Sequence, residues 1–158
     1  MGEAAERSIA LGGVGATHRL GAGLAALARA GDVILLSGPL GAGKTELARG
    51  FLRALGVGEE IPSPTFTLVQ IYELESATVW HVDLYRLARP EETRELGLDE
   101  GYAVGITLIE WPDRLGEALP VDRLDVALVY GAAPEARIAR ISGHGTWAAR
   151  LAALTVDD

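Results

Sequence analysis

The chain has no cysteine, a single lysine and no surplus of basic charge. The absence of cysteine excludes a disulfide scaffold and thiolate metal sites, and fits a reducing cytoplasm. No apolar run approaches the ~20 residues that a membrane-spanning helix needs. The opening "MGEAAERSIALGG" carries acids early and lacks an apolar centre, so no signal peptide is expected and a cytoplasmic location is. The formal net charge is −8 at pH 7. A protein that grips a nucleic-acid backbone normally shows a basic patch, so the chain is not expected to be the main contact for any nucleic acid. Repeats, low-complexity tracts and linkers are missing too. The length of 158 residues suits one domain, 1–158, which buries roughly 70% of the surface its unfolded chain exposes.

What is present is concentrated around "SGPLGAGKT", residues 37–45. Gly38-x-x-x-x-Gly43-Lys44-Thr45 is the phosphate-loop signature. Gly38, Gly41 and Gly43 let the backbone bend so that successive N–H groups point inward at phosphate oxygens. Lys44 reaches the outer phosphates, and the Thr45 hydroxyl is the expected magnesium ligand. The nucleotide-binding stretch therefore comprises Gly38, Pro39, Leu40, Gly41, Ala42, Gly43, Lys44, Thr45 and Glu46. "DVILLSG" before it has the apolar character of a buried strand. "KTELARGFLRALG" after it sets Leu47, Phe51, Leu52 and Leu55 at helical spacing and stops at Gly56. The helix N-terminus thus faces the anion. Of the 14 basic residues Lys44 is the one lysine, which leaves 13 arginines. A planar guanidinium cannot replace a compact ammonium inside a tight loop. Glu46 occupies a position where a second hydroxyl is usual. As a first-turn acid it favours the helix dipole, and a solvated side chain is expected, because pointing inward it would repel phosphate.

Along the rest of the chain, "RSIAL" reads as a short first strand. Thr17 is a plausible cap for a helix from His18 to Ala30, with Leu20, Leu24 and Leu27 on one face and Gly31 as its stop. Pro62 and Pro64 stiffen a loop, and from Phe66 the chain reads as strand. "ATVWHVDLYRL" and "GITLIEW" are further strands. "RPEETRELGLDEGY" opens a helix at Pro90, and "DRLGEALP" is a short one. "LDVALVY" and "ARIARIS" read as a terminal strand pair, and "TWAARLAAL" as a closing helix. This order predicts an α/β sandwich of the P-loop NTPase type: a largely parallel central sheet with antiparallel edge strands, the ligand lying beyond the carboxyl ends of the strands.

A phosphate loop needs an acid at the end of a neighbouring strand, to hold the metal's water shell or to position the attacking water. Two are in place. Alternation in "VWHVDLY" puts His81, Asp83 and Tyr85 on one face, with Asp83 near the strand's end. An apolar run ends in Glu110, the stronger shape for a metal-side acid. Asp83 also reads as a structural partner of Arg86 or a helix cap. Thr65, after Pro64, sits where a switch segment would lie; a hydroxyl there can sense the metal or γ-phosphate and order the loop with ATP, and it also reads as an ordinary loop threonine. His81 reads as packed or hydrogen-bonded beside the core rather than as a general base. His18 and His144 have no evident partner, so no histidine metal site is expected.

"GPLGAGKT", "SPTFTLV", "HVDLYRL", "LGLDE" and "IEW", in this order and at these separations, resemble the TsaE (YjeE) family. These are small bacterial P-loop ATPases needed for threonylcarbamoylation of the adenosine beside the anticodon of certain tRNAs. The resemblance implies ATP and Mg2+ as cofactors, Lys44, Thr65, Asp83 and Glu110 as catalytic residues, and Thr45 with Glu110 on the magnesium. Trp111 accompanies Glu110. It also implies partners, TsaD and TsaB, which carry the transferase site and the contact with tRNA, while this chain hydrolyses ATP weakly alone and resets their complex. A small-molecule kinase and an ATP-gated module without meaningful hydrolysis are the alternatives. The chain shows no acceptor domain or arginine-rich lid for the first. A guanine-reading Asn-Lys-x-Asp motif is absent.

Overall fold

The computed structural model describes residues 5–64, 67–87, 89–116 and 119–156. Its strands are β1 (Ala5–Leu11), β2 (Val33–Ser37), β3 (Val69–Glu73), β4 (Thr78–Asp83), β5 (Ile106–Glu110), β6 (Arg123–Tyr130) and β7 (Arg137–His144). Its α-helices are α1 (Val14–Leu27), α2 (Lys44–Ala54), α3 (Leu98–Val104) and α4 (Trp147–Arg150). The strands form one sheet in the order β1-β7-β6-β2-β5-β4-β3. The centre is parallel, β2 pairing with both β5 and β6 and β4 with β5. Both edges are antiparallel, β7 and β1 on one side and β3 on the other. The expected sandwich is therefore the observed one.

The central strands are buried on both faces, which is why β2 and β5 read as unbroken apolar runs. Ile34, Leu36, Leu108 and Val126 pack under α1 and α2 with Leu20, Leu24, Leu47 and Phe51. Val33, Leu35, Trp80, Val82 and Ile109 pack on the opposite face with Leu98 of α3 and Leu115. No helix among the described residues is long and apolar enough to cross a membrane.

Several local expectations need correction. Helix α1 begins at Val14 behind Gly13 and ends at Leu27, so Thr17 is not its cap. Thr17 is buried, and its hydroxyl leans back on the Gly13 carbonyl at 3.4 Å. The small residues Gly13 and Gly15 carry no apolar signal, so the periodicity is visible only from the second turn. The segment opening at Pro90 is a 3-10 helix to Leu96, and Gly97, with a left-handed φ of 72°, breaks it from α3. After β5 the helical turn is also 3-10, Pro112–Leu115, starting before the predicted Asp113; the further residues of that prediction include 117–118, outside the described set. The strand expected from Phe66 begins at Val69.

Helices α1 and α2 touch backbone to backbone. A Cβ on Gly50 of α2 would lie 2.3 Å from the His18 carbonyl oxygen, and one on Gly21 of α1 would lie 2.3 Å from that of Leu47. The approach fixes α2, and with it the loop that α2 terminates. Gly50→Ala is expected to destabilise the chain by ~1–3 kcal/mol through overpacking, although replacing a helical glycine by alanine ordinarily gains up to ~1 kcal/mol. At Gly58 an added Cβ meets nothing within 4 Å, so Gly58→Ala is expected to stay within ~0.5 kcal/mol of the parent. Urea unfolding midpoints decide this, and equal midpoints for the two variants would contradict the close helix contact.

Candidate phosphate site

The loop between β2 and α2 leaves the carboxyl end of the central strand. Gly38 takes φ 140°, and a Cβ there would lie 2.4 Å from the Leu128 carbonyl oxygen of β6, so the turn requires glycine on both counts. Two residues remote in sequence brace the loop. The Tyr130 hydroxyl donates to the Leu40 carbonyl at 2.6 Å, and Arg137 donates from Nε to the Ala42 carbonyl at 3.2 Å. Sequence reading missed both, because nothing local to β6 or β7 signals a contact some ninety residues away.

The strand registers bring the acids to the loop. Glu110 of β5 sits opposite Leu36 of β2 and opposite Asp83 of β4. A cleft of about 420 Å³ opens above them, lined among others by Leu40, Lys44, Thr45, Ser63, Asp83 and Glu110. Glu110 is 2% exposed, and its carboxylate accepts the Thr45 hydroxyl, which lies 2.9 and 3.0 Å from its two oxygens. His81 is fully buried, and its Nε2 stands 2.7 Å from Glu110 Oε2. A ring protonated on Nε2 donates to that oxygen and leaves Nδ1 without a partner among the described residues. His81 therefore orients Glu110 from beneath instead of facing the cleft. Asp83 is buried at the cleft wall, and its Oδ1 accepts the Tyr85 N–H at 2.9 Å.

Lys44 is folded back on its own loop, Nζ donating to the Gly38 carbonyl at 2.6 Å and the Pro39 carbonyl at 3.0 Å. Burial pushes its pKa below the ordinary lysine value, although Glu110, Asp83 and Asp113 pull the other way. The ammonium also lies 4.0 Å from the centroid of the Trp111 ring, an attractive cation–π geometry. Trp111 holds that position in a left-handed conformation, φ 61° and ψ 54°, which costs about 1–2 kcal/mol for a residue with a Cβ. Its N–H bonds the Leu36 carbonyl at 3.2 Å, and its ring meets Tyr85 with centroids 4.8 Å apart. The backbone turn that ends β5 thus aims an aromatic face at the lysine.

Glu46 is not the solvated acid that its position suggested. Its carboxylate accepts from His18 Nε2 at 2.8 Å and Arg49 at 2.7 Å. Burial acts to raise its pKa, but those two partners outweigh it and hold the carboxyl below the usual value. The same contacts supply the partner that His18 lacked in the sequence, and His144 likewise meets Asp125 at 2.9 Å. Thr65 lies outside the described residues.

The donor set suits a hard cation that also holds phosphate. Thr45, Asp83 and Glu110 offer oxygen only, and no cluster of three or more His, Cys, Asp or Glu able to cage a metal is found among the described residues. Magnesium is usually held by one or two carboxylates together with a phosphate rather than by an all-protein cage.

Removing the donor beneath Glu110 tests this arrangement. His81→Ala is expected to lower the stability of the ligand-free chain by about 1–3 kcal/mol, the cost of leaving a buried acceptor short of a donor. In a double-mutant cycle with Glu110→Ala, a coupling of roughly 0.5–3 kcal/mol is expected by chemical denaturation. Additive losses would show that Glu110 does not depend on His81.

Residues 13–138 match the model of the family described as threonylcarbamoyl adenosine biosynthesis protein TsaE. The tRNA threonylcarbamoyladenosine biosynthesis protein TsaE of Bacillus subtilis is 41% identical over 105 residues, 66% of this chain and 65% of that protein, so the alignment spans just under two thirds of its length. The protein of the same description from Streptomyces coelicolor is 39% identical over 138 residues, 83% of this chain and 93% of its own. The crystal structure of Bacillus subtilis YdiB superposes with a TM-score of 0.81 at 28% identity, covering 97% of this chain and 95% of that one. With the loop and both acids inside the matched span, the chain belongs to the TsaE family of threonylcarbamoyl adenosine biosynthesis proteins, and so to tRNA modification.

Proposed function

We propose that the chain is the ATP-binding and ATP-hydrolysing component of tRNA threonylcarbamoyladenosine formation, acting with TsaD and TsaB, which carry the transfer chemistry and the tRNA. The observation behind this reading is the make-up of the phosphate cleft. It has the grip and the acids of an ATPase, yet among its described lining residues Lys44 is the one cation. Charge developing on a transferring γ-phosphoryl group is then poorly balanced until another protein docks, and a supplied arginine is worth ~10³–10⁵ in rate. The net charge of −8 is consistent with leaving the tRNA to the partners.

In this reading the residues exchange internal partners for phosphate. Lys44 leaves the Gly38 and Pro39 carbonyls for phosphate oxygens, because a charge-assisted bond to an anion is stronger than one to a neutral carbonyl. Thr45 and Glu110, now paired with each other, would hold magnesium, Thr45 through its hydroxyl and Glu110 through its carboxylate. When bound, the ion would supply positive charge to balance that of the phosphates. His81 keeps the Glu110 carboxylate in place, and Asp83, beside it in the sheet, orients the attacking water. Trp111 and Tyr85 wall the phosphate end from solvent. A second cleft of about 330 Å³ on the far side of the loop, between Gly13, Thr17, Glu135 and Arg137, would take the nucleoside.

Magnesium-dependent ATP hydrolysis is expected to fall well under ~1 per second for the chain alone and to rise by orders of magnitude when TsaD and TsaB are added. Lys44→Ala should abolish both. Turnover by the isolated chain at ~1–100 per second, the range of kinases, would contradict partner dependence. Glu110→Gln should retain ATP binding and lose hydrolysis by about 10² or more. If pathway function survived that change, the chain would instead be an ATP-gated module.

A further inference from the structure

A cleft of about 510 Å³ runs along α1 and α2, larger than the phosphate cleft at the first turn of α2, with which it shares Glu46. Its lining combines small residues, Ala22, Gly50 and Ala54, with Arg19, Arg49 and Arg53. Its one acid, Glu46, is already held by His18 and Arg49. The groove is therefore locally cationic on a protein whose net charge is −8. Arg19 and Arg53 stand exposed at its rim.

The arginines also hold what lies next to them. Arg49 donates from Nε to the Ile61 carbonyl at 2.8 Å and from its guanidinium to Glu46 at 2.7 Å. Arg53 donates to the carbonyls of Val57, at 3.0 Å, and Glu59. The loop so held leads directly to Ser63, which lines the phosphate cleft, and Glu46 lines both that cleft and the groove. One arginine thus ties the groove to two parts of the phosphate site.

We propose that the α1–α2 groove docks an acidic segment of a partner protein and that Arg49 couples this docking to the nucleotide site. Charge complementarity selects the occupant: a carboxylate pairs with guanidinium bidentately and more strongly than the Ile61 carbonyl does. A docked acid therefore draws Arg49 Nε away from the Ile61 carbonyl, loosening the loop that leads to Ser63. The small, apolar floor accommodates side chains of a peptide, and three arginines on an otherwise acidic surface are too few for a polyanion track. The docking surface stands independently of the ATPase reading; the coupling rests on that reading.

The test uses the full chain and a fluorescein-labelled deca-glutamate peptide, followed by anisotropy at low and high salt. Salt-sensitive binding is expected, weakened at least roughly tenfold by Arg19→Glu with Arg53→Glu, as for charges lost from a complementary interface. Ala22→Phe, which fills the groove without touching its charge, should weaken it too, while Arg140→Glu on the distant strand β7 should not. Thermal melts accompany each variant, and Arg19→Glu alone, at an exposed position, serves if the double variant unfolds. No binding, or equal loss with Arg140→Glu, overturns the docking site. Binding of a uridylate decamer with the same dependence on Arg19 and Arg53 would assign the groove to RNA, and self-association lost in those variants would assign it to a second copy; either overturns the proposal. For coupling, saturating peptide should shift the affinity for a fluorescent ATP analogue by about fivefold or more. An unchanged affinity overturns the coupling. Failure of the analogue to bind even without peptide overturns the ATPase reading instead, and leaves the docking arm to be judged on its own.

Discussion

The structure is organised around a buried carboxylate. Glu110 is almost wholly removed from water, where an ionised group costs several kcal/mol unless paired and hydrogen-bonded. Its two supports come from different elements, the Thr45 hydroxyl at the start of α2 and the His81 ring in β4. Satisfying that one group therefore ties the ends of β4 and β5 to the start of the phosphate-loop helix. The parallel registers that put Leu36, Glu110 and Asp83 side by side make this possible, since only neighbouring strands ending at one level can present a loop and two acids to the same space.

The same economy governs the donors of the loop. Lys44 and Thr45 are occupied by internal acceptors in the ligand-free chain. These contacts hold both side chains at the loop that the glycines shape. Trp111 belongs to this arrangement: its strained backbone turn is offset by the contacts its ring makes with Lys44 and Tyr85. Such strain persists only where the surrounding structure over-determines it, here at the end of β5, the strand that also carries Glu110.

Helix α2 has two working sides. One lines the candidate phosphate cleft through Lys44 and Thr45. The other meets α1 so closely that glycine is required, and beside that contact lies the arginine groove. Glu46 stands between them, bound by His18 from α1 and Arg49 from α2. A disturbance on the α1 side thus has a short physical route to the loop.

Short-period patterns in the sequence by themselves determined a good deal. Apolar runs marked β2 and β5, alternation marked β4, the glycine spacing marked the loop, and the order of these pieces determined the sandwich and the family. Lys44, Thr45, Asp83 and Glu110 were singled out from local pattern, and the fold brings the four to one cleft. These features are local, and periods of 2 and 3.6 residues or a turn needing positive φ leave their mark on adjacent letters. The tertiary structure alone decided the partnerships: that His18 and Arg49 occupy Glu46, that His81 lies under Glu110, that Tyr130 and Arg137 brace the loop, and that α1 starts at Val14 behind an uninformative glycine. Each is a contact between segments far apart in sequence, or between small residues that carry no hydrophobic signal, and such contacts are set by strand order and helix packing, which no local spacing encodes.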